Sequence, residues 1–151
     1  MDLQLKDKVV VITGPAKGMG RAVSLAFAAE GAQLVLTGRD VAAIEPVAAE
    51  CRAAGVDAIV VPCDITKAAQ TEALAAATLA RFGRIDVLVN VAGGSGPIGK
   101  TGWETTADEF NDIVELNMTG CFNTIHAVLP AMIEAKSGKI VNVGGTFGMK
   151  G

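Results

Sequence analysis

Long apolar stretches are missing from this sequence. Runs such as Val9 to Ile12 are only a few residues long, whereas a helix that spans a bilayer needs about 20 apolar residues. The first residues, Met1 to Lys8, also lack the apolar centre of a secretory signal peptide. We therefore expect a cytoplasmic protein with no membrane partner.

Clusters of basic residues are missing as well. The 13 Lys and Arg residues are scattered along the chain, and with 16 acidic residues they give a net charge of -3. Proteins that bind nucleic acid usually concentrate positive charge on one surface. The charge pattern argues against a nucleic-acid partner and favours a small molecule.

Cysteine and histidine are scarce. Cys51, Cys63 and Cys121 are widely spaced and form no CxxC pair, so we expect reduced thiols, mostly buried, and no disulfide framework. The single histidine, His126, has no Cys or carboxylate at ligand spacing. We therefore predict that His126 is structural and that there is no metal site.

Short β-branched runs alternate along the chain with longer Ala-rich stretches of helical period. Such an alternation predicts one α/β domain, residues 1–151, built as a doubly wound parallel sheet whose ligands bind beyond the carboxyl ends of the strands. The predicted strands are Lys8–Thr13, Gln33–Thr37, Ala58–Cys63, Ile85–Asn90 and Lys139–Val143. The predicted helices are Gly18–Glu30, Val41–Ala54, Lys67–Phe82 and Ala107–Ala135.

Polar residues and glycines mark the predicted helix ends. Asp40 and Thr66 are the predicted N-caps, and Pro46 is expected to kink the second helix or to delay its start. The glycines that follow the C-terminal ends are Gly31, Gly55, Gly83 and Gly138.

The first predicted strand runs directly into a glycine-rich turn, TGPAKGMGRA, which spans residues 13–22 and opens a helix. Gly14 can make the sharp turn. Gly18 and Gly20 would let a pyrophosphate approach the backbone at the helix N-terminus, where free N–H groups and the helix dipole favour an anion. This context predicts a dinucleotide site.

A second glycine-rich segment, Gly94 to Thr101, fits the pattern G-x-x-x-x-G-K-[ST] of NTP-hydrolysing proteins, with Lys100 for the phosphates and Thr101 for magnesium. In such a loop a helix begins at the lysine. Here Gly102 follows at once and residues 103–106 show no helical period. We therefore reject the NTPase interpretation.

Five motifs in order, TGPAKGMG, CDIT, NVAG, LNMTG and GKIVNVGG, resemble those of the short-chain dehydrogenase/reductase family. The resemblance implies a Rossmann-type NAD(P)-binding fold, an oxidoreductase that moves a hydride between nicotinamide and an alcohol or ketone, and a homotetramer or homodimer. It also implies a set of cofactor-binding residues. These are Gly14, Pro15, Ala16, Lys17, Gly18, Met19, Gly20, Arg39, Asp64, Ile65, Asn90, Ala92 and Gly93.

The catalytic residues match the family only in part. Asn117 falls on the family's catalytic Asn, but Gly145 occupies the position of the catalytic Ser, and Thr146 is the nearest hydroxyl that could replace it. The sequence has no Tyr, so the family's Y-x-x-x-K is absent. We therefore expect the N-terminal part of a longer enzyme, cut after the fifth strand. A dinucleotide-binding protein without catalytic power is the alternative.

The cofactor preference follows from the end of the second strand, LTGRD. At this position an acidic side chain would accept hydrogen bonds from the ribose 2'-OH of NAD, but Gly38 and Arg39 stand there. Lys17 offers a second positive charge in the first loop. We predict NADP over NAD, while Asp40 leaves NAD possible.

Overall fold

A computed structural model describes residues 1–145, and the prediction for Thr146 lies outside the described residues. Five parallel strands form one sheet in the order β3-β2-β1-β4-β5. The predicted doubly wound α/β fold is confirmed. The strands are β1 (Val9–Thr13), β2 (Gln33–Gly38), β3 (Ala58–Pro62), β4 (Val87–Asn90) and β5 (Lys139–Asn142).

The helices cover both faces of this sheet. They are α1 (Gly18–Ala29), α2 (Val41–Ala53), α3 (Ala68–Phe82), α4 (Ala107–Val114) and α5 (Gly120–Glu134). A π-helical turn, Glu115–Thr119, joins α4 to α5. The single helix predicted over residues 107–135 is therefore interrupted, because an i→i+5 bond from the Gly120 N–H to the Glu115 carbonyl replaces the α-helical pattern.

One predicted N-cap is wrong, and one of the two alternatives for Pro46 is excluded. Thr66 does not cap α3, because its N–H and hydroxyl both donate to Asp64 Oδ1, at 3.0 and 2.8 Å; Lys67 takes the N-cap position. Pro46 does not delay α2, which begins at Val41. The Asp40 side chain sets that start by accepting a hydrogen bond from the Ala43 N–H.

Alternate residues of the strands supply two separate hydrophobic layers. Val10 and Ile12 of β1 pack with residues of α1 and α2 on one face. Val9 and Val11 pack with Leu74 of α3 and with residues of α5 on the other. Because β1 and β4 are covered on both faces, β1 is apolar from Val9 to Ile12 and β4 from Val87 to Val89. Burial of one such side chain contributes about 1.5–3 kcal/mol.

Asp86 links the amino-terminal ends of β1, β4 and β5 through hydrogen bonds. Its backbone N–H donates to the Val9 carbonyl, and its carbonyl accepts from the Lys139 N–H, both at 2.9 Å. Its carboxylate accepts the Val9 N–H at 2.9 Å and two hydrogen bonds from Arg84, at 2.7 and 2.6 Å. Burial alone would raise the pKa of this carboxyl, but the bonds from Arg84 and Val9 outweigh burial and lower it.

The described helices include none that is long and apolar enough to cross a membrane. Residues 1–145 also contain no group of three or more His, Cys, Asp or Glu side chains placed to hold a metal ion.

Candidate functional site

A cleft of about 480 Å³ lies at the carboxyl ends of the strands. The chain leaves β1 towards β2 on one side, whereas β4 and β5 lie on the other side of β1. This reversal of strand order is the place where open α/β sheets bind ligands. Twelve of the predicted cofactor-binding residues line the cleft: Gly14, Pro15, Ala16, Lys17, Gly18, Met19, Gly20, Arg39, Asp64, Ile65, Ala92 and Gly93.

The three glycines of the first loop have different roles. Gly14 has a φ of +67°, and a Cβ on it would lie 2.9 Å from the Ala92 backbone. A Cβ on Gly20 would lie 2.0 Å from the Gly14 carbonyl oxygen, so Gly20 lets the helix pack on the turn. Gly18 has a φ of +54°, but a Cβ there would meet nothing within 4 Å. The space beside the Gly18 backbone, on the edge of the cleft, is therefore open.

The N-terminus of α1 faces the cleft without a side-chain cap. Its N-cap residue, Lys17, makes no capping hydrogen bond, and its first turn contains no acidic residue. By contrast, Thr106 and Glu109 form a full capping box at α4. Uncapped N–H groups at a helix N-terminus favour an anion such as a pyrophosphate.

Thr13 connects the first loop to the segment after β4. This side chain is fully buried, and its hydroxyl oxygen accepts hydrogen bonds from the N–H groups of Val91, at 3.1 Å, and Ala92, at 3.0 Å. Thr13 therefore holds together two walls of the cleft. Sequence reasoning assigned no role to it, because its partners lie far away in the chain.

The tip of β2 presents a positive charge to the cleft. Arg39 is exposed there, whereas the neighbouring Asp40 accepts the Ala43 N–H at 3.1 Å as the N-cap of α2. Across the cleft, the hydrogen bond from the Thr66 hydroxyl lowers the pKa of Asp64, and the charges of Arg39 and Lys67 lower it further. Asp64 is therefore an anion that can accept hydrogen bonds.

Asn90 is the one predicted cofactor-binding residue that does not line the cleft. Its side chain is buried. It donates to Asn142 Oδ1 at 2.9 Å and accepts from the Thr124 hydroxyl at 2.7 Å. The structure thus brings Asn90 into contact with β5 and α5.

Asn117, the predicted catalytic residue, lies in the π-helical turn beside Gly94. Its amide oxygen accepts the Gly94 N–H at 3.1 Å, and its amide nitrogen donates to the carbonyl oxygens of Gly94, at 2.8 Å, and Ile113, at 2.9 Å. A Cβ on Gly93 would lie 2.7 Å from this amide oxygen. The side chain therefore clamps the loop that follows the cleft-lining residue Gly93.

Two carboxylates that follow the NTPase-like segment bind its Lys100 and Thr101. Lys100 Nζ lies 2.5 Å from Glu109 Oε1. Glu104 Oε2 accepts the Thr101 N–H at 2.8 Å and the Thr101 hydroxyl at 2.5 Å. The next helix begins only at Ala107, so no helix N-terminus faces a phosphate here. The structure agrees with the rejection of an NTPase.

A family model described as short chain dehydrogenase matches residues 8–151. The chain belongs to this family. A levodione reductase from Leifsonia aquatica is 40% identical over 147 residues, which cover 96% of this chain and 55% of that protein. The chain spans about half the length of the curated relatives it matches, from 44% to 59%.

Solved structures of family members superimpose closely on the fold. One is a metagenomic short-chain oxidoreductase in complex with NADP, with a TM-score of 0.91 at 35% identity, covering 97% of this chain and 66% of that chain. Another is NAD+-bound xylitol dehydrogenase, with a TM-score of 0.89 at 32% identity, covering 98% of this chain and 56% of that chain.

Gly145, which the sequence resemblance aligns with the family's serine, lies three residues after β5. This residue and Gly144 are exposed, neither has a positive φ, and a Cβ on either would meet nothing within 4 Å. The backbone therefore does not require glycine at residue 145. Thr146, the predicted substitute, lies outside the described residues.

The cleft also contains residues that sequence reasoning did not select for this site. Cys63 was expected to be a buried thiol, and burial raises its pKa, so it is an unreactive part of the wall. The other residues lie at strand ends or in the helical segments that follow, and the strand order brings them together at the cleft. They are Thr37, Gly38, Asp40, Ile44, Val91 and Leu116.

Proposed function

We propose that the protein is an NADP-dependent oxidoreductase that transfers a hydride between the cofactor and the carbon of an alcohol or ketone. The uncapped N-terminus of α1 at the switch point of the sheet is the observation that carries the proposal. It offers an anion site to a pyrophosphate, and Gly18 leaves space for its approach. The nicotinamide supplies the hydride chemistry when bound.

Charges at the adenosine end favour a 2'-phosphate. Lys17 and Arg39 are both exposed on the rim of the cleft. Asp40, the residue that could have accepted a ribose 2'-OH, is engaged at the N-terminus of α2. A neighbour in the family was solved with NADP and another with NAD+, so the preference for NADP rests on these side chains.

Catalytic roles are assigned to Asn117 and to the end of β5. Asn117 holds Gly94 through two hydrogen bonds, and so orders the wall next to Gly93. In the proposed reaction a hydroxyl at the end of β5 would donate a hydrogen bond to the substrate oxygen as charge develops there. Gly145 has none, and Thr146 is the candidate substitute.

Titration with NADPH and NADH, followed by turnover assays on a panel of ketones, tests this proposal. Gly18→Val should abolish cofactor binding by filling the open space beside the helix N-terminus. Gly55→Val is the matched control, since Gly55 also has a positive φ, of +95°, and open space around it but lies outside the cleft. Equal loss of binding in both variants would contradict the assignment of the cleft.

A binding protein without catalytic power is the second candidate, and Gly145 is the residue that favours it. Such a protein would shift the fluorescence of NADPH on binding but would oxidise none of it with any ketone. Binding with turnover supports the enzyme, and binding without turnover supports the second candidate.

We also propose that the protein forms a homodimer through α5. Met118, Phe122 and Ile133 are exposed by 67%, 62% and 69% along one side of this helix and the preceding turn. In an antiparallel pair with its two-fold axis near Ile125, Phe122 lies opposite Leu129 of the second copy. In that register Met118 meets Ile133.

The same register would bring opposite charges together, since Glu115 of one copy would approach Lys136 of the other. Sedimentation velocity on Phe122→Glu should show a monomer. Val41→Glu, at an exposed apolar residue of α2, is the control and should leave the oligomeric state unchanged. A cytoplasmic location remains a prediction from the sequence.

A further inference from the structure

Ile65 supports the helix that follows the π-helical turn. This side chain is 6% exposed and lines the cleft at the carboxyl end of β3. A Cβ on Gly120, the first residue of α5, would lie 2.6 Å from Ile65 Cγ1 and 2.7 Å from Ile65 Cδ1. The helix therefore packs closely on Ile65, and a side chain at residue 120 would force Ile65 to move.

Two further contacts hold the same elements together. The buried side chain of Asn123 donates to the Ile65 carbonyl at 2.9 Å. Lys67 Nζ lies 3.6 Å from Glu115 Oε1, where Glu115 is the first residue of the π-helical turn. The ion pair is exposed and contributes little, so Ile65 and Asn123 carry most of the support.

The supported turn holds Asn117, whose three hydrogen bonds reach Gly94 and Ile113. Hydrogen bonds of this kind weaken steeply with changes in distance and angle. A small shift of the turn would therefore loosen the clamp on Gly94.

We propose that Ile65 is a positioning residue: through its contact with Gly120, it sets the π-helical turn that carries Asn117 and thereby orders the Gly94 loop. The contact links the cleft wall after β3 to the wall after β4. Any effect of this Ile65–Gly120 contact on turnover rests on the proposed function. Its effect on the order of the Gly94 loop does not depend on that function.

Amide hydrogen exchange measured by NMR tests the proposal directly, because the Gly94 N–H donates to Asn117. Gly120→Ala and Ile65→Ala should each speed exchange at Gly94 by about tenfold, and should shift the side-chain amide signals of Asn117. The double variant, Ile65→Ala with Gly120→Ala, should recover much of the lost protection of the Gly94 N–H, since the methyl group added at residue 120 occupies space that the Ile65 side chain vacates. Gly102→Ala, at a glycine with open space around it, should change neither reading.

Wild-type exchange at Gly94 in both single variants, with both folded by thermal melting, would overturn the proposal. The proposal would also be overturned if the double variant lost protection at Gly94 by the sum of the two single losses. If Ile65→Ala does not fold, Ile65→Val removes only Cδ1 and gives a milder version of the same comparison. Failure to bind NADPH would refute the proposed function and leave the exchange result standing.

Discussion

Thr13 and Ala92 lie 79 residues apart and are joined by a hydrogen bond of 3.0 Å from the Ala92 N–H to the Thr13 hydroxyl. The same oxygen accepts the Val91 N–H. Beside this bond, the Ala92 backbone abuts Gly14. The walls contributed by β1 and β4 are therefore fixed to one another at the point where the cleft opens.

Replacing Thr13 by Val should weaken both the fold and the cleft. The substitution keeps the shape but leaves two N–H groups without their acceptor, at a cost of about 1–3 kcal/mol for each group that water cannot reach. We expect the free energy of unfolding in urea to fall by about 2 kcal/mol and NADPH affinity to fall with it. Thr13→Ser keeps the hydroxyl and should retain most of both; a Val variant as stable as the Ser variant would refute this role.

Replacing Arg39 by Ala should change which cofactor is preferred. A charge-assisted hydrogen bond is worth about 1.5–3 kcal/mol, so the ratio of kcat/KM for NADPH over NADH should fall by about tenfold to a hundredfold. Lys17→Ala should act in the same direction. Arg81→Ala, at an exposed cation on α3, is the control, and an unchanged ratio in Arg39→Ala would contradict a 2'-phosphate site.

Replacing Gly145 by Ser should increase turnover if the site has lost its hydroxyl. One preorganised donor to a developing oxyanion is worth about a hundredfold to a thousandfold in rate, and the open surroundings of Gly145 accept a side chain. We expect a gain of at least about tenfold in kcat, while Thr146→Ala changes little. Nearly complete loss of activity in Thr146→Ala would show that this threonine has taken the role of the serine.

Replacing Asp86 by Asn should produce a pH-dependent loss of stability. The folded pKa of Asp86 lies below its ordinary value, so the carboxylate stabilises the fold above the unfolded pKa of about 3.9, and this stabilisation disappears as the pH falls through the folded pKa. At pH 7 the variant should lose about 1.5–3 kcal/mol of unfolding free energy, as expected for hydrogen bonds to a charged group.

Urea denaturation at pH 7 and at low pH measures this difference, which should shrink as the pH falls. Asp57→Asn is the control, because Asp57 pairs with Arg81 on the surface and is more exposed than Asp86. A loss in Asp86→Asn that does not depend on pH would show that the charge of the side chain is not what matters.

Local patterns in the sequence determined the strands, the helices and the first glycine loop. Short runs rich in β-branched and apolar residues predict strands, and these appear as β1 to β5 within two residues at each end of the prediction. Gly14 and Gly18 have the positive φ that such a turn requires. Because these signals depend on near neighbours, composition and spacing were enough to find them.

Tertiary structure decided how distant residues meet. No local pattern shows that Asn90 bonds to Asn142 instead of lining the cleft. The π-helical turn depends in the same way on contacts such as that of Gly120 with Ile65. Such contacts form only when the order of the strands brings separate segments together. The linear sequence does not show which of these distant residues will meet.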